Sequence, residues 1–167
     1  MITKKTPLKD VLLLGQNCQR RNNCCKHGSG CLVGDDIRHI GDYLKISEKE
    51  LIKDYLDEVE RFNSKLFKPK TVKQGKPYGP CIFFDGNGCR IQEVKPLECR
   101  IGNCNEFGQR LSIWFMLNYQ INPNDPESIR QYALYLKTQP TIPGGRLEEL
   151  VPDKERLKKI LDFTIFK

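Results

Sequence analysis

Apolar residues recur at helical spacing through much of the chain. Ile37, Ile40 and Leu44 stand at i, i+3 and i+7 behind Asp35 and Asp36, either of which can cap a short helix. Ser47 and Glu50 form a capping box, in which each side chain satisfies a free backbone N–H at a helix start. Behind it Leu51, Ile52, Tyr55, Leu56, Val59 and Phe62 continue as one apolar stripe, so the pattern predicts a core-facing helix reaching Phe62. The periodicity stops at Lys65. From there Lys65, Lys68, Lys70, Lys73 and Lys76 occur without an acidic residue, interrupted by Pro69, Gly75, Pro77 and Pro80, which predicts a loop.

The last third is again helical in character. Leu111, Ile113, Trp114, Phe115, Met116, Leu117 and Tyr119 are dense enough to bury a helix over 107–121 on most of its circumference. Asn124-Asp125-Pro126 opens another, with proline at the favoured first position and Ile129, Tyr132, Ala133 and Leu136 facing inward. A Pro143-Gly144-Gly145 turn precedes a final helix from Asp153 to Phe166, with Leu157, Ile160, Leu161 and Phe163 or Ile165 as its apolar side. The Asp85-Gly86-Asn87-Gly88 stretch has hairpin-turn chemistry, leaving room for short strands around 82–84 and 90–92. The expected fold is mainly α, with an irregular cysteine-rich metal-binding lobe and one short β-hairpin. Residues 1–106 would form the cysteine-cluster domain with its helical spacer, and residues 107–167 a helical cap packed on it.

Composition narrows the classes. The chain has 167 residues, 38% hydrophobic and 29% charged, with a net charge of +7. That suits one globular domain and excludes a featureless disordered tail. The longest apolar run near the start is Val11-Leu12-Leu13-Leu14, far short of the ~20 residues that span a membrane. A cytoplasmic location is expected, where thiols stay reduced and dense cysteines signal metal binding or catalysis.

Eight cysteines change the picture most. They fall into two blocks, Cys18, Cys24, Cys25 and Cys31, then Cys81, Cys89, Cys99 and Cys104, with none elsewhere. Thiolates bind zinc, copper(I) and iron–sulfur clusters, and a four-thiolate centre stays negative, so it needs positive charge or N–H donors nearby. Arg20, Arg21 and Lys26 interleave the first block, and Arg90, Lys95 and Arg100 the second. No C-x2-C occurs, so neither a zinc-ribbon knuckle nor the bacterial ferredoxin run is present. Adjacent Cys24 and Cys25 project differently in most conformations, so they serve different metals or only one is a ligand. His27 and His39 are the available imidazoles, each better read as structural or exposed.

These residues resemble the YkgJ-type cysteine-cluster family, a zinc- or iron-chelating domain. Its opening C-x2-C-x2-C-C is matched by Cys18 and by Cys24-Cys25, and its aspartate-started helix by Asp36-Ile37-Arg38-His39-Ile40. Its closing half is matched by Cys81-Ile82-Phe83-Phe84, Cys89-Arg90-Ile91 and Lys95-Pro96-Leu97-Glu98-Cys99-Arg100. The likeness covers about residues 15–104. It implies Cys18, Cys24, Cys25, Cys81, Cys89 and Cys99 as ligands. Arg21 stands where that family has its second cysteine, Gln92 and Lys95 replace a tyrosine and an arginine, and Cys31 and Cys104 are extra. One of those two can substitute for the thiolate lost at Arg21, and proximity alone adds both to the metal set.

Three functions compete. The first is an iron–sulfur protein with one or two 4Fe-4S clusters, serving electron transfer or a larger enzyme through a protein partner. Zinc is the alternative, in an interaction module whose lysine loop meets an acidic protein or, more weakly, nucleic acid. The aromatic residues lie in apolar stripes and not among the lysines, so a base-stacking platform is not evident. A thiol enzyme using one reactive cysteine ranks last, and no catalytic residue is assigned. Clusters lead because their several iron atoms accept ligands from several directions.

Overall fold

A computed structural model describes residues 1–19 and 21–165. Its α-helices are α1 (Leu8–Gly15), α2 (Asn23–His27), α3 (Asp36–Leu44), α4 (Glu48–Tyr55), α5 (Leu97–Ile101), α6 (Gly108–Phe115), α7 (Pro126–Leu136), α8 (Leu147–Leu150) and α9 (Lys154–Leu161). Strands β1 (Leu56–Arg61) and β2 (Ser64–Pro69) form an antiparallel hairpin, the one sheet among the described residues. The fold is therefore mainly helical with a single short hairpin. No described helix is long and apolar enough to cross a membrane.

Local signals place the starts of α4, α7 and α9. The Ser47 hydroxyl accepts the Glu50 N–H at 3.1 Å, Asp125 caps α7 through the Glu127 N–H at 3.0 Å ahead of Pro126, and Asp153 caps α9 through the Arg156 N–H. α6 runs on into a π-helical turn over Met116–Gln120, and Leu111, Ile113, Trp114, Phe115, Met116 and Leu117 are all buried. α9 ends at Leu161, sooner than the apolar pattern suggests: Phe163 is exposed in a left-handed conformation, and Phe166 lies outside the described residues.

The spacer departs from expectation. α4 stops at Tyr55, and Leu56 starts β1, whose partner β2 occupies the beginning of the supposed lysine loop, with Leu56 opposite Pro69 and Arg61 opposite Ser64. The apolar stripe through Phe62 fits both a helix and a helix followed by a strand, because Leu56 and Val59 can serve either. Phe62 and Asn63 both adopt positive φ, which makes the tight reversal that a right-twisted hairpin requires. The hairpin expected at 82–92 is reduced to one bridge, Phe84 to Cys89, around a turn in which Asp85 Oδ1 accepts the Asn87 and Gly88 N–H groups.

Two apolar cores result. One joins α1, α5 and the C-terminal helices through Val11, Leu97, Ile101, Leu111, Phe115, Ile129 and Tyr132, so parts of the cysteine-bearing segment share a core with the C-terminal helices. The other gathers Leu32, Ile40, Leu51, Leu56, Phe83 and Ile91, with Tyr55 stacked on Phe83 at 5.6 Å. Between their walls lies the cysteine-lined cavity.

Candidate metal centre

The two cysteine blocks, separated by 49 residues in sequence, meet. The Cys81 N–H donates to the Cys25 carbonyl at 2.8 Å, and Asn22 Nδ2 donates to the Asn87 carbonyl at 3.1 Å. Ser29 Oγ, just after α2, donates to the Pro69 carbonyl at the end of β2 at 2.6 Å. These bonds close a cavity of about 500 Å³ lined by Cys18, Cys24, Cys25, Cys81, Cys89, Cys99 and Cys104. Seven of the eight expected ligands therefore face one space. Among the described residues no three cysteine, histidine or carboxylate side chains are grouped to hold a single ion; the sulfurs surround a volume.

Cys31 does not join them. It is 5% exposed and packed in the core of α1, α5 and the C-terminal helices, while Leu32 beside it enters the other core and donates its N–H to the Phe67 carbonyl. Burial, followed by the nearby Glu98 carboxylate, pushes the Cys31 thiol up to about 12. A thiol so placed behaves as a small hydrophobe.

Adjacent Cys24 and Cys25 both reach the cavity, since α2 is one short turn lying at its edge, and their sulfurs are 4.0 Å apart. The hydrogen bond between them lowers the Cys24 thiol to about 6. That same bond, with burial and the neighbouring sulfurs, pushes Cys25 up. Burial also raises Cys81, Cys89 and Cys99. Against this, the Gly30 N–H points at the Cys99 sulfur and Lys95 favours ionised Cys24 and Cys89. Gly30 is required there, because a Cβ would stand 2.7 Å from the Cys99 sulfur.

Of the cations near the blocks, Arg21 and Lys95 line the cavity, with His27 beside them. Arg20 lies outside the described residues. Arg100 is engaged elsewhere, its Nη2 donating to Asp36 Oδ1 at 3.2 Å. Asp36 is the residue whose function the sequence conceals. Its buried carboxylate also accepts the Val33 and Leu97 N–H groups, each at 2.9 Å, and so clasps α5, the helix that carries Cys99, to the start of α3. Glu98 adds a second clasp by accepting the Cys31 N–H. The aspartate-started helix was visible, but nothing local shows a carboxylate reaching sixty residues ahead.

The chemistry of this donor set is that of a soft or borderline metal: thiols, two cations and backbone N–H groups around one cavity. A family model described as "CxxCxxCC: Putative zinc- or iron-chelating domain" matches residues 17–130. No curated protein and no solved structure matches the chain.

Proposed function

The chain belongs to the CxxCxxCC family of zinc- or iron-chelating domains, and from that premise we propose that it carries an iron–sulfur cluster of the 4Fe-4S type in the cysteine-lined cavity. The observation that carries this reading is the arrangement of the sulfurs. Cys24, Cys25, Cys81, Cys89 and Cys99 surround a cavity of about 500 Å³ and feel one another's charge. A centre of several metal atoms takes its ligands from several directions, which suits thiols placed around a volume.

The cluster would supply one-electron chemistry, and its potential would be set by charge and by hydrogen bonds to its sulfur ligands. The chain's own residues would do the tuning. Arg21 and Lys95 offset thiolate charge, the Gly30 N–H supports Cys99, and Phe83, Ile91 and Ile101 form the apolar part of the wall. Cys24 and Cys104 are exposed, which leaves the centre accessible to a redox partner or to a larger enzyme that it serves.

The test is anaerobic purification followed by a visible spectrum with metal and sulfide analysis. Broad visible absorbance, iron and acid-labile sulfide are expected. A colourless protein holding stoichiometric zinc and no sulfide would overturn the cluster in favour of a zinc-stabilised module.

A further inference from the structure

We infer that Cys104 supplies the thiolate missing from the first cysteine block. Laid on Cys18, Cys24 and Cys25, the family's C-x2-C-x2-C-C pattern puts its second cysteine at position 21, where this chain has Arg21. Two cysteines remain as substitutes, and the structure separates them. Cys31 is packed in a hydrophobic core with the Glu98 carboxylate beside it and does not line the cavity. Cys104 lines the cavity.

Cys104 also lies beside Cys18 and Arg21. It shares with Cys18 and Arg21 a second void of about 10 Å³, closed by Asn17, Gln19 and Asn105. That is the lower limit for one water-sized occupant, so the space admits a single small atom or ion. A thiol arriving there from the second block meets the ligand and the departed position of the first block at once.

The backbone explains how it arrives. α1 and α5 touch end to end at Gly15, where a Cβ would come within 2.4 Å of the Arg100 carbonyl oxygen and 2.7 Å of the Ile101 Cα. Cys18 follows Gly15 by three residues, and Cys104 follows Ile101 by three. Both segments therefore leave one contact and reach their cysteines after the same number of residues. Asn103 Nδ2 bridges the two ends, donating to the Leu14 carbonyl at 3.4 Å and the Ile101 carbonyl at 3.3 Å, and Asn103 Oδ1 accepts the Asn105 N–H at 3.2 Å. Cys104 sits between these two asparagines in a held loop. The exchange also changes the charge: Arg21 puts a cation where that family has an anionic ligand, and a Cys104 thiolate supplies an anion beside it in partial compensation.

This assignment rests on the metal centre proposed above but not on its being iron–sulfur, so the test measures whichever metal the protein holds. The full chain and its Cys104→Ser, Cys31→Ala and Arg21→Cys/Cys104→Ser variants are purified anaerobically and compared for metal per chain, sulfide, spectrum and affinity under chelator competition. Circular dichroism monitors the fold. Cys104→Ser should lower affinity by about 10-fold or more, the scale seen when a group merely supporting a ligand is lost. The double variant should recover it, and Cys31→Ala should keep the wild-type metal content. Cys104→Ser with wild-type content, spectrum and affinity would overturn the assignment, as would a double variant that regains nothing. Should the serine variant fail to fold, alkylation of the wild-type protein decides: Cys104 should react only after the metal is stripped, and equal labelling with and without metal would refute its role. Zinc in place of iron and sulfide would overturn the cluster while leaving the Cys104 comparison valid, whereas a metal-free wild type would overturn both.

Discussion

The Asp36 carboxylate receives two backbone N–H groups and one guanidinium nitrogen while being only 4% exposed. Replacing it with alanine strands the two backbone donors, while the Arg100 guanidinium, 39% exposed, can turn to water; among the described residues Arg100 Nε is already buried without a hydrogen-bond partner. Asp36→Ala should therefore destabilise the metal-free protein by about 3 kcal/mol, the cost of leaving two backbone N–H groups without their acceptor. Chemical denaturation checks the figure, and a change under 1 kcal/mol would show that water takes over the carboxylate's duties. Gly30 is the other telling position. A Cβ 2.7 Å from the Cys99 sulfur cannot be accommodated without moving a proposed ligand, so Gly30→Ala should reduce bound metal more than it reduces helix content. Metal analysis set beside circular dichroism separates the two effects.

Among the elements, the turn from α4 through β1 to β2 shows how a correct local pattern can lead to the wrong element. Phe62 in a left-handed conformation costs about 1–2 kcal/mol. It is repaid by edge-to-face packing on Tyr132 and Tyr135, both at 5.9 Å, each worth about 0.5–1.5 kcal/mol. Those partners lie seventy residues away, so the helix-to-strand switch is decided by tertiary contacts and not by the stripe itself. Asn63 tolerates positive φ better than most residues, and its Nδ2 donates to Asp125 Oδ2 at 2.6 Å, tying the hairpin to the α7 cap. Asn63→Val should lower stability by at least about 1 kcal/mol, since a β-branched residue resists that conformation and loses the bond. Thermal unfolding of the two proteins would show it, and equal midpoints would mean the turn is not strained by valine.

At the scale of the molecule, the thiols couple metal, protons and folding. Burial raises Cys81, Cys89 and Cys99 above the ordinary thiol value of 9.0. The folded metal-free chain then holds protons that the unfolded chain releases above pH 9, so its stability is present below that value and falls as pH rises past it. A bound metal reverses the sign by requiring thiolates, so affinity should increase with pH while protons remain to be displaced. Thermal melts between about pH 7 and pH 10, with and without a chelator, should diverge as pH rises, the stripped protein losing stability and the loaded one keeping it. Parallel curves would mean that the buried thiols are not the ligands.

Much of this was legible in one dimension. The capping of α4, α7 and α9 by Ser47, Asp125 and Asp153, the apolar crowding of residues 111–117, and the two cysteine blocks with their family likeness all follow from neighbours within a turn or from order along the chain. Such features are local, because helix periodicity and capping operate over three or four residues. Tertiary structure alone decided that Cys31 turns into a core while Cys104 turns to the cavity, that Asp36 clasps the helix of Cys99, and that Gly15 lets α1 meet α5. Each depends on where the chain returns after sixty to ninety residues, and that return is set by how two apolar cores pack, not by the residues on either side of a cysteine.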